Sequence, residues 1–130
     1  MQDRPTAREL LEAVRLFLED DVVPALDGPA RFHARVAANV LAIVGRELAD
    51  EEPALTAEWT RLATLLGRPD AAPPGRMAAL RGAVAELTEE LSARIRRGDA
   101  DASPFREAVR AAVTASVAEK LAVANPRMAQ

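Results

Sequence analysis

The chain has 130 residues, of which 49% are hydrophobic and 28% charged, and it contains no cysteine. This composition is typical of a globular domain with a hydrophobic core, and it excludes disulfides and thiolate metal sites. The net charge of −3 argues against general affinity for nucleic acid or for an anionic membrane. We therefore expect a single domain over residues 1–130 that binds neither.

The amino terminus, MQDRPTAREL, has no apolar run like that of a signal peptide. The longest uncharged apolar run is the ten residues between Arg35 and Arg46, whereas a bilayer span needs roughly 20. Sixteen arginines stand against one lysine, a bias typical of GC-rich bacterial genomes. These features predict a bacterial cytoplasmic protein.

The first predicted helix follows a capping box, in which Thr6 and Glu9 form the pattern T-x-x-E. Apolar residues then recur at helical spacing: Leu10, Leu11, Val14, Phe17 and Leu18. The helix should end near residues 20–22, because Val23 precedes a proline and is disfavoured in the α conformation.

The second predicted helix covers about residues 30–48 and is apolar or small nearly all round. Its large side chains cluster on one side: Phe32, Val36, Val40, Ile43 and Val44. Such a helix is usually buried by several neighbours, so we expect it to be the centre of the fold.

Three more helices are predicted. The sequence DEEP (residues 50–53) offers a cap and a first-turn proline for the third, which Gly67 closes. The fourth has a regular apolar seam: Met77, Leu80, Val84, Leu87, Leu91 and Ile95. It ends at Gly98, and the fifth runs from Ser103 to just before Asn125. Because no stretch alternates like a strand, the sequence predicts an all-α bundle of about five helices.

Five polar residues of the second helix lie in or beside its apolar arc. His33 and Glu47 project toward the middle of the arc, and one edge is lined by Arg35, Asn39 and Arg46. A buried polar side chain costs about 1–3 kcal/mol unless it is hydrogen-bonded. These groups therefore need partners in the fold or on another protein.

Lys120 lies inside the apolar arc of the fifth predicted helix, and two interpretations stay open. Its ammonium could reach solvent past the helix end. Alternatively, it forms a buried ion pair with Glu47 across the interface of the second and fifth helices, and removing one member would then cost about 3–5 kcal/mol.

No catalytic motif is present, and we expect no metal, no cofactor and no enzyme activity. His33 is the only histidine and lies 14 residues from Glu47, about 21 Å along a helix, so the two cannot act together directly. One histidine also excludes the paired Glu-x-x-His sites of di-iron bundles. A weak hydrolase using His33 would need an acid or hydroxyl within hydrogen-bond reach of the ring.

The arginines allow two kinds of role. Arg35, Asn39 and Arg46 either hold an anion such as a phosphate or carboxylate, or bond loop carbonyls and nearby acids. The cluster at the end of the fourth predicted helix is expected to complement the helix dipole. It consists of Arg94, Arg96 and Arg97.

Three strings resemble a known family: RPTARELLEAVRLFLEDDVVPAL, FHARVAANVLAIVGREL and EKLAVANPR. They are similar to a bacterial family of small helical domains of unknown function, which accompany aminoglycoside-phosphotransferase-like kinases and acyl-CoA dehydrogenases. The resemblance implies an accessory protein whose kinase-like partner carries the catalytic machinery. The strings include seven polar residues whose coincidence suggests one polar network or interface: His33, Arg35, Asn39, Glu47, Lys120, Asn125 and Arg127.

We therefore expect a non-catalytic accessory or interaction module, with a homodimer formed through the fourth predicted helix. The alternative is a helical bundle that binds an acyl or phosphorylated metabolite at Arg35, Asn39 and Arg46. An enclosed pocket lined by those residues would favour ligand binding. Charges on open surface or bonded to loop carbonyls would favour the module.

Overall fold

The computed structural model describes residues 4–128, and this part of the chain is helical without a strand. The four main helices are α1 (Ala7–Phe17), α2 (Gly28–Leu65), α3 (Met77–Arg96) and α4 (Phe105–Ala124). The all-α prediction is confirmed, but there are four helices rather than about five. Residues 1–3 lie outside the described range. They begin the segment MQDRPTAREL, in which we expect no signal peptide. None of the described helices is both long and apolar enough to cross a membrane.

The capping box at the start of α1 is confirmed. The backbone N–H of Glu9 donates to the Thr6 hydroxyl at 3.2 Å, and the Thr6 N–H donates to the Glu9 carboxylate at 2.7 Å. The predicted end is wrong, because a π-helical turn, Leu18–Val22, and a short helix, Val23–Ala25, continue from α1. Val23 has helical dihedral angles, φ −58° and ψ −44°, although a proline follows it. A following proline only disfavours the α conformation, and the hydrogen bonds of the surrounding helix can override this preference.

The predicted break at residues 50–53 is absent, because α2 continues through Pro53. A proline inside a helix removes one backbone donor and crowds the carbonyl four residues earlier, here that of Ala49. The apolar residues keep helical spacing on both sides, so the remaining hydrogen bonds hold the helix together. The acid and proline pattern was therefore a wrong guide to the helix boundary.

The chain divides into two compact units between Asp50 and Glu51, within the segment where the helix break was predicted. The first unit contains the described residues up to Asp50 together with Val123–Asn125. The second contains Glu51–Ala122 and the described residues after Asn125. The single domain over residues 1–130 stays a prediction.

The hydrophobic core lies in the second unit. Nine buried residues from α2, its C-terminal cap, α3 and α4 form it: Trp59, Leu62, Ala63, Leu66, Leu80, Val84, Leu87, Leu91 and Val109. The regular seam predicted for residues 77–95 supplies four of them. Intramolecular packing covers those four side chains, and the expectation that this helix forms a homodimer stays a prediction.

The first unit has a small interior, in which the described buried residues are Val23 and Ala38. The helix over residues 30–48 was expected to be the centre of the fold, and this is wrong: Phe32 is 63% exposed and Val40 48%. The clefts between α2 and the preceding helical segments are lined on α2 largely by small residues such as Ala42 and Gly45. The small side of α2 is therefore the packed side, and its bulky side is left exposed.

Both predicted glycine caps are confirmed. Gly67 has φ +84° and Gly98 has φ +88°. The backbone N–H after each glycine donates to a carbonyl five residues earlier, Arg68 to Ala63 at 2.7 Å and Asp99 to Arg94 at 3.1 Å. These are Schellman motifs, which satisfy carbonyls that the ends of α2 and α3 leave unpaired.

Replacing Pro53 by alanine should stabilise the protein. The change restores a backbone donor in the middle of α2, and we expect the free energy of unfolding to rise by about 1–3 kcal/mol in urea titrations followed by circular dichroism. Pro29→Ala in the first turn of α2 is the control and should change stability by less than about 0.5 kcal/mol. Equal stability of Pro53→Ala and the wild type would mean that the helix is broken there in solution.

Two glycine-to-alanine changes should have opposite effects. At Gly98, φ is positive and an added Cβ would lie 2.9 Å from Asp101 Oδ2, so Gly98→Ala should destabilise by about 1–2 kcal/mol. At Gly82, inside α3, an added Cβ meets no atom within 4 Å, and Gly82→Ala should stabilise by about 0.5–1 kcal/mol. Thermal melts of the two variants measure this, and a stabilising Gly98→Ala would contradict the cap geometry.

Candidate functional site

A ridge of large apolar side chains lies exposed along the first half of α2. We call it the α2 ridge, and it consists of Phe32, Val36, Val40, Val44 and Leu48. Four of the five are between 43% and 63% exposed, and Val44 is half-buried. Residues four apart are neighbours on a helix surface, so these side chains form a continuous row.

A second apolar surface lies on α1. Leu10, Val14 and Phe17, here called the α1 stripe, are 46%, 49% and 57% exposed. Their spacing of four and three residues places them on one face of the helix. Carboxylates lie near this stripe in the sequence, at Glu9 before it and at Asp20 and Asp21 after it.

His33 and Glu47 both lie exposed on the side of α2 that carries the ridge. The His33 ring contacts the Phe32 ring edge to face, with centroids 5.7 Å apart and an interplanar angle of 69°. Within residues 4–128, neither His33 nor Glu47 has an ion-pair or side-chain hydrogen-bond partner. The expectation that these groups are buried is wrong, because the arc to which they belong faces solvent.

The structure separates the three residues of the predicted polar edge. Arg35 and Asn39 are exposed and line an open cleft of about 410 Å³ together with Glu19. Arg46 instead donates from Nε to the backbone carbonyl of Val123 at 2.7 Å. Val123 lies in the last turn of α4, where carbonyls have no partner within the helix. This carbonyl bond is the arrangement that favours an interaction module over an anion site.

A larger cleft, of about 560 Å³, is lined by Arg46 together with α1 residues that include Arg8, Glu12 and Arg15. The Arg15 guanidinium is held by the carboxylates of Glu12 and Glu19, with an Nε–Oε2 distance of 2.8 Å to Glu12. These bonds raise the pKa of Arg15 and lower that of Glu12. Arg15 is therefore already paired with carboxylates, and the guanidinium groups of Arg8 and Arg46 are the other positive charges that line this cleft.

Lys120 meets a different acid from the one predicted. Its side chain is 73% exposed, and Nζ lies 3.6 Å from Glu58 Oε1. The predicted buried pair with Glu47 is therefore wrong, since the lysine ammonium lies in solvent near the end of α4. A long flexible side chain reaches water from an apolar face more cheaply than it can bury its charge.

The sequence patterns did not reveal a polar contact in the second unit that contains three side-chain hydrogen bonds. Arg61 on α2 donates two hydrogen bonds to the Glu119 carboxylate on α4 and one to Ser116 Oγ, at 3.0 Å. The two charged side chains are 20% and 40% exposed. Each lies at the border of its helix's apolar side, but the spacing within one helix does not reveal which residue of another helix it meets.

The arginines at the end of α3 do more than complement the helix dipole. The Arg94 guanidinium lies 4.2 Å from the centre of the Phe105 ring, and its Nε bonds Asp99 at 3.0 Å. Hydrogen bonds from Arg94 and Arg97 lower the pKa of Asp99. Arg96 pairs with Glu89 at 2.8 Å. The cluster thus secures the turn between α3 and α4.

The remaining polar residues give no sign of catalysis. Asn125 and Arg127 are exposed on either side of Pro126. Across residues 4–128, no three acidic or histidine side chains are grouped closely enough to hold a metal ion. The hydrolase interpretation would require an acid or a hydroxyl that hydrogen-bonds to His33. Neither is found among the hydrogen-bond partners of His33 within residues 4–128.

Arg61 should matter to stability far more than Lys120. Arg61→Met removes hydrogen bonds to a partly buried carboxylate, and we expect a loss of about 1–3 kcal/mol in the free energy of unfolding. Lys120→Met removes an exposed ammonium 3.6 Å from Glu58, whose side chain is 16% exposed, and should destabilise by less than about 1 kcal/mol. Urea titrations of both variants measure this, and similar losses would contradict the assigned contacts.

The comparisons with known proteins add a family. The model of a family described as "Domain of unknown function (DUF6285)" matches residues 24–128. No curated protein and no solved structure matches the chain. The family description names no activity, so the association with kinases or dehydrogenases stays a prediction. Because the match covers most of the chain, the protein belongs to the DUF6285 family, whose function is unknown.

Proposed function

We propose that the protein is a non-catalytic accessory module that acts by binding another protein through its first unit. The observation that supports this is the exposure of two apolar surfaces, the α1 stripe and the α2 ridge, in a unit whose described buried residues are Val23 and Ala38. Exposed apolar side chains that form a contiguous surface larger than a few hundred Å² are typical of protein interfaces.

The α1 stripe is the surface that suits a different protein. The acids beside it, Glu9, Asp20 and Asp21, would repel the same surface of a second copy and attract a basic rim on a partner. The resemblance to a family that accompanies aminoglycoside-phosphotransferase-like kinases supports such a kinase as that partner. In this proposal the partner supplies the catalytic and phosphate-binding groups.

The alternative, binding of an acyl or phosphorylated metabolite, has less support. The two clefts of the first unit, about 410 and 560 Å³, have the size of ligand sites. In the larger cleft, however, Arg15 is held by two carboxylates, and the Nε–H of Arg46 is already donated to a backbone carbonyl. Glu19 lines the cleft that contains Arg35 and Asn39, and its carboxylate would oppose an anion there.

Co-purification tests the proposal. The tagged protein is purified with the kinase-like protein encoded nearest to it, and the mass of the eluate is measured by light scattering. We expect a stoichiometric complex that Val14→Glu weakens at least about tenfold, because a charge would have to be buried at the interface. Val117→Glu is the matched control, since Val14 and Val117 are 49% and 50% exposed and only Val14 lies on the α1 stripe.

Two outcomes would overturn the proposal. If no complex forms, the kinase-like partner is excluded, and if Val14→Glu binds as well as the control, the α1 stripe is not the contact. A thermal-shift measurement with acetyl-CoA and inorganic phosphate tests the alternative. Stabilisation that Arg35→Ala removes would show that the protein binds a small ligand.

A further inference from the structure

The α2 ridge is symmetric about Val40. Phe32 and Leu48 stand eight residues on either side of it, and Val36 and Val44 stand four residues on either side. The ridge thus reads large, Val, Val, Val, large in both directions along the helix. A surface with this symmetry can contact its own copy across a twofold axis, because each residue then meets its symmetric counterpart.

The polar side chains beside the ridge follow the same symmetry, with an imidazole on one side of Val40 and a carboxylate on the other. His33 lies seven residues before Val40 and Glu47 seven residues after it. Seven residues make almost two turns, so both side chains point within about 20° of the direction of Val40, each about 10 Å from it along the axis. His33 and Glu47 cannot reach each other within one chain, which leaves an imidazole and a carboxylate without partners at the two ends of one face.

We propose that the α2 ridge is the homodimer interface of this protein, with the two α2 helices antiparallel and crossing at Val40. This arrangement places Val40 against its own copy, with Val36 and Val44 on either side of it and with Phe32 and Leu48, about 80° around the helix from Val40, on the two flanks of the contact. His33 meets Glu47 of the second copy at each end, so the hydrogen bond that the single chain cannot make is formed twice. A parallel pair would instead bring the two Glu47 carboxylates together.

The size of the ridge sets the strength of the dimer. The exposed parts of its five side chains amount to roughly 400 Å² per copy, by comparison with whole side chains of 150–250 Å² for aromatic residues. Stable dimers usually bury about 800 Å² per partner. The ridge thus suits a dimer with a dissociation constant in the micromolar range, in which the two His33–Glu47 pairs select the antiparallel register.

Light scattering and sedimentation over a concentration series test the interface. The chain has a mass of 13.9 kDa, so we expect a species of twice that mass at about 100 µM and its dissociation at low micromolar concentration. Val40→Glu should weaken the dimer at least about tenfold, whereas Val117→Glu, at a valine of nearly equal exposure on α4, should not. A monomer at 100 µM, or a dimer indifferent to Val40→Glu, would overturn the proposal.

Charge reversal tests the register. His33→Glu alone should weaken the dimer, because two carboxylates then face each other at both ends, and Glu47→Lys alone should weaken it by removing the carboxylate that faces the imidazole N–H. The double variant should dimerise within about threefold of the wild type, since a carboxylate then faces an ammonium at both ends. A double variant that stays as weak as the single ones would exclude the antiparallel arrangement.

The positions are exposed, so the variants should fold, and their circular dichroism spectra and melting curves provide the check. An equimolar mixture of His33→Glu and Glu47→Lys provides a second measurement that does not depend on folding of the double variant. It should form heterodimers, because every facing pair in them is complementary. Val14→Glu should dimerise like the wild type, which separates failure of this interface from failure of the α1 stripe as a partner site.

Discussion

The second unit depends on the burial of one apolar face from each of three helices in a common core. Trp59 and Leu62 of α2 pack in this core with the leucines of α3 and with Val109 of α4. Polar contacts surround it, with Arg61 bonded to Glu119 on α4 and Arg81 on α3 bonded to Glu51 on α2. Apolar burial supplies most of the favourable free energy, and the polar pairs determine which faces meet.

The same continuous helix presents a different surface in the first unit. There the small residues of α2 are the packed ones, and its large residues stay exposed as the α2 ridge. A unit with so small an interior gains little free energy from burying its own apolar side chains. Covering the remaining exposed apolar surface with another protein would be favourable. We therefore propose association with other proteins as the function of this unit. The two surfaces have separate proposed occupants, because acids lie near the α1 stripe in the sequence and the residues of the α2 ridge are arranged symmetrically about Val40.

Local patterns predicted well what local hydrogen bonding decides. The capping box at Thr6 and the caps at Gly67 and Gly98 are present because each depends on a few consecutive residues. Helix ends were wrongly predicted near Val23 and Pro53. At both positions the local preference against the helical conformation is weaker than the stabilisation by the hydrogen bonds of the surrounding helix. The candidate site was predicted only in part: the unusual residues His33 and Glu47 were recognised, but they were expected to be buried.

The sequence by itself determined that the chain is helical, where three of its helix termini lie, and which faces are apolar. Those properties follow from hydrogen bonds and side-chain spacing within a few turns. Only the tertiary structure decided that Trp59 rather than Val40 is buried, that Arg61 binds Glu119, and that Lys120 lies near Glu58. An apolar face shows that burial is favourable, but it does not specify which segment will cover it. That choice depends on how residues far apart in the chain fill the available space, and helical periodicity carries no record of it.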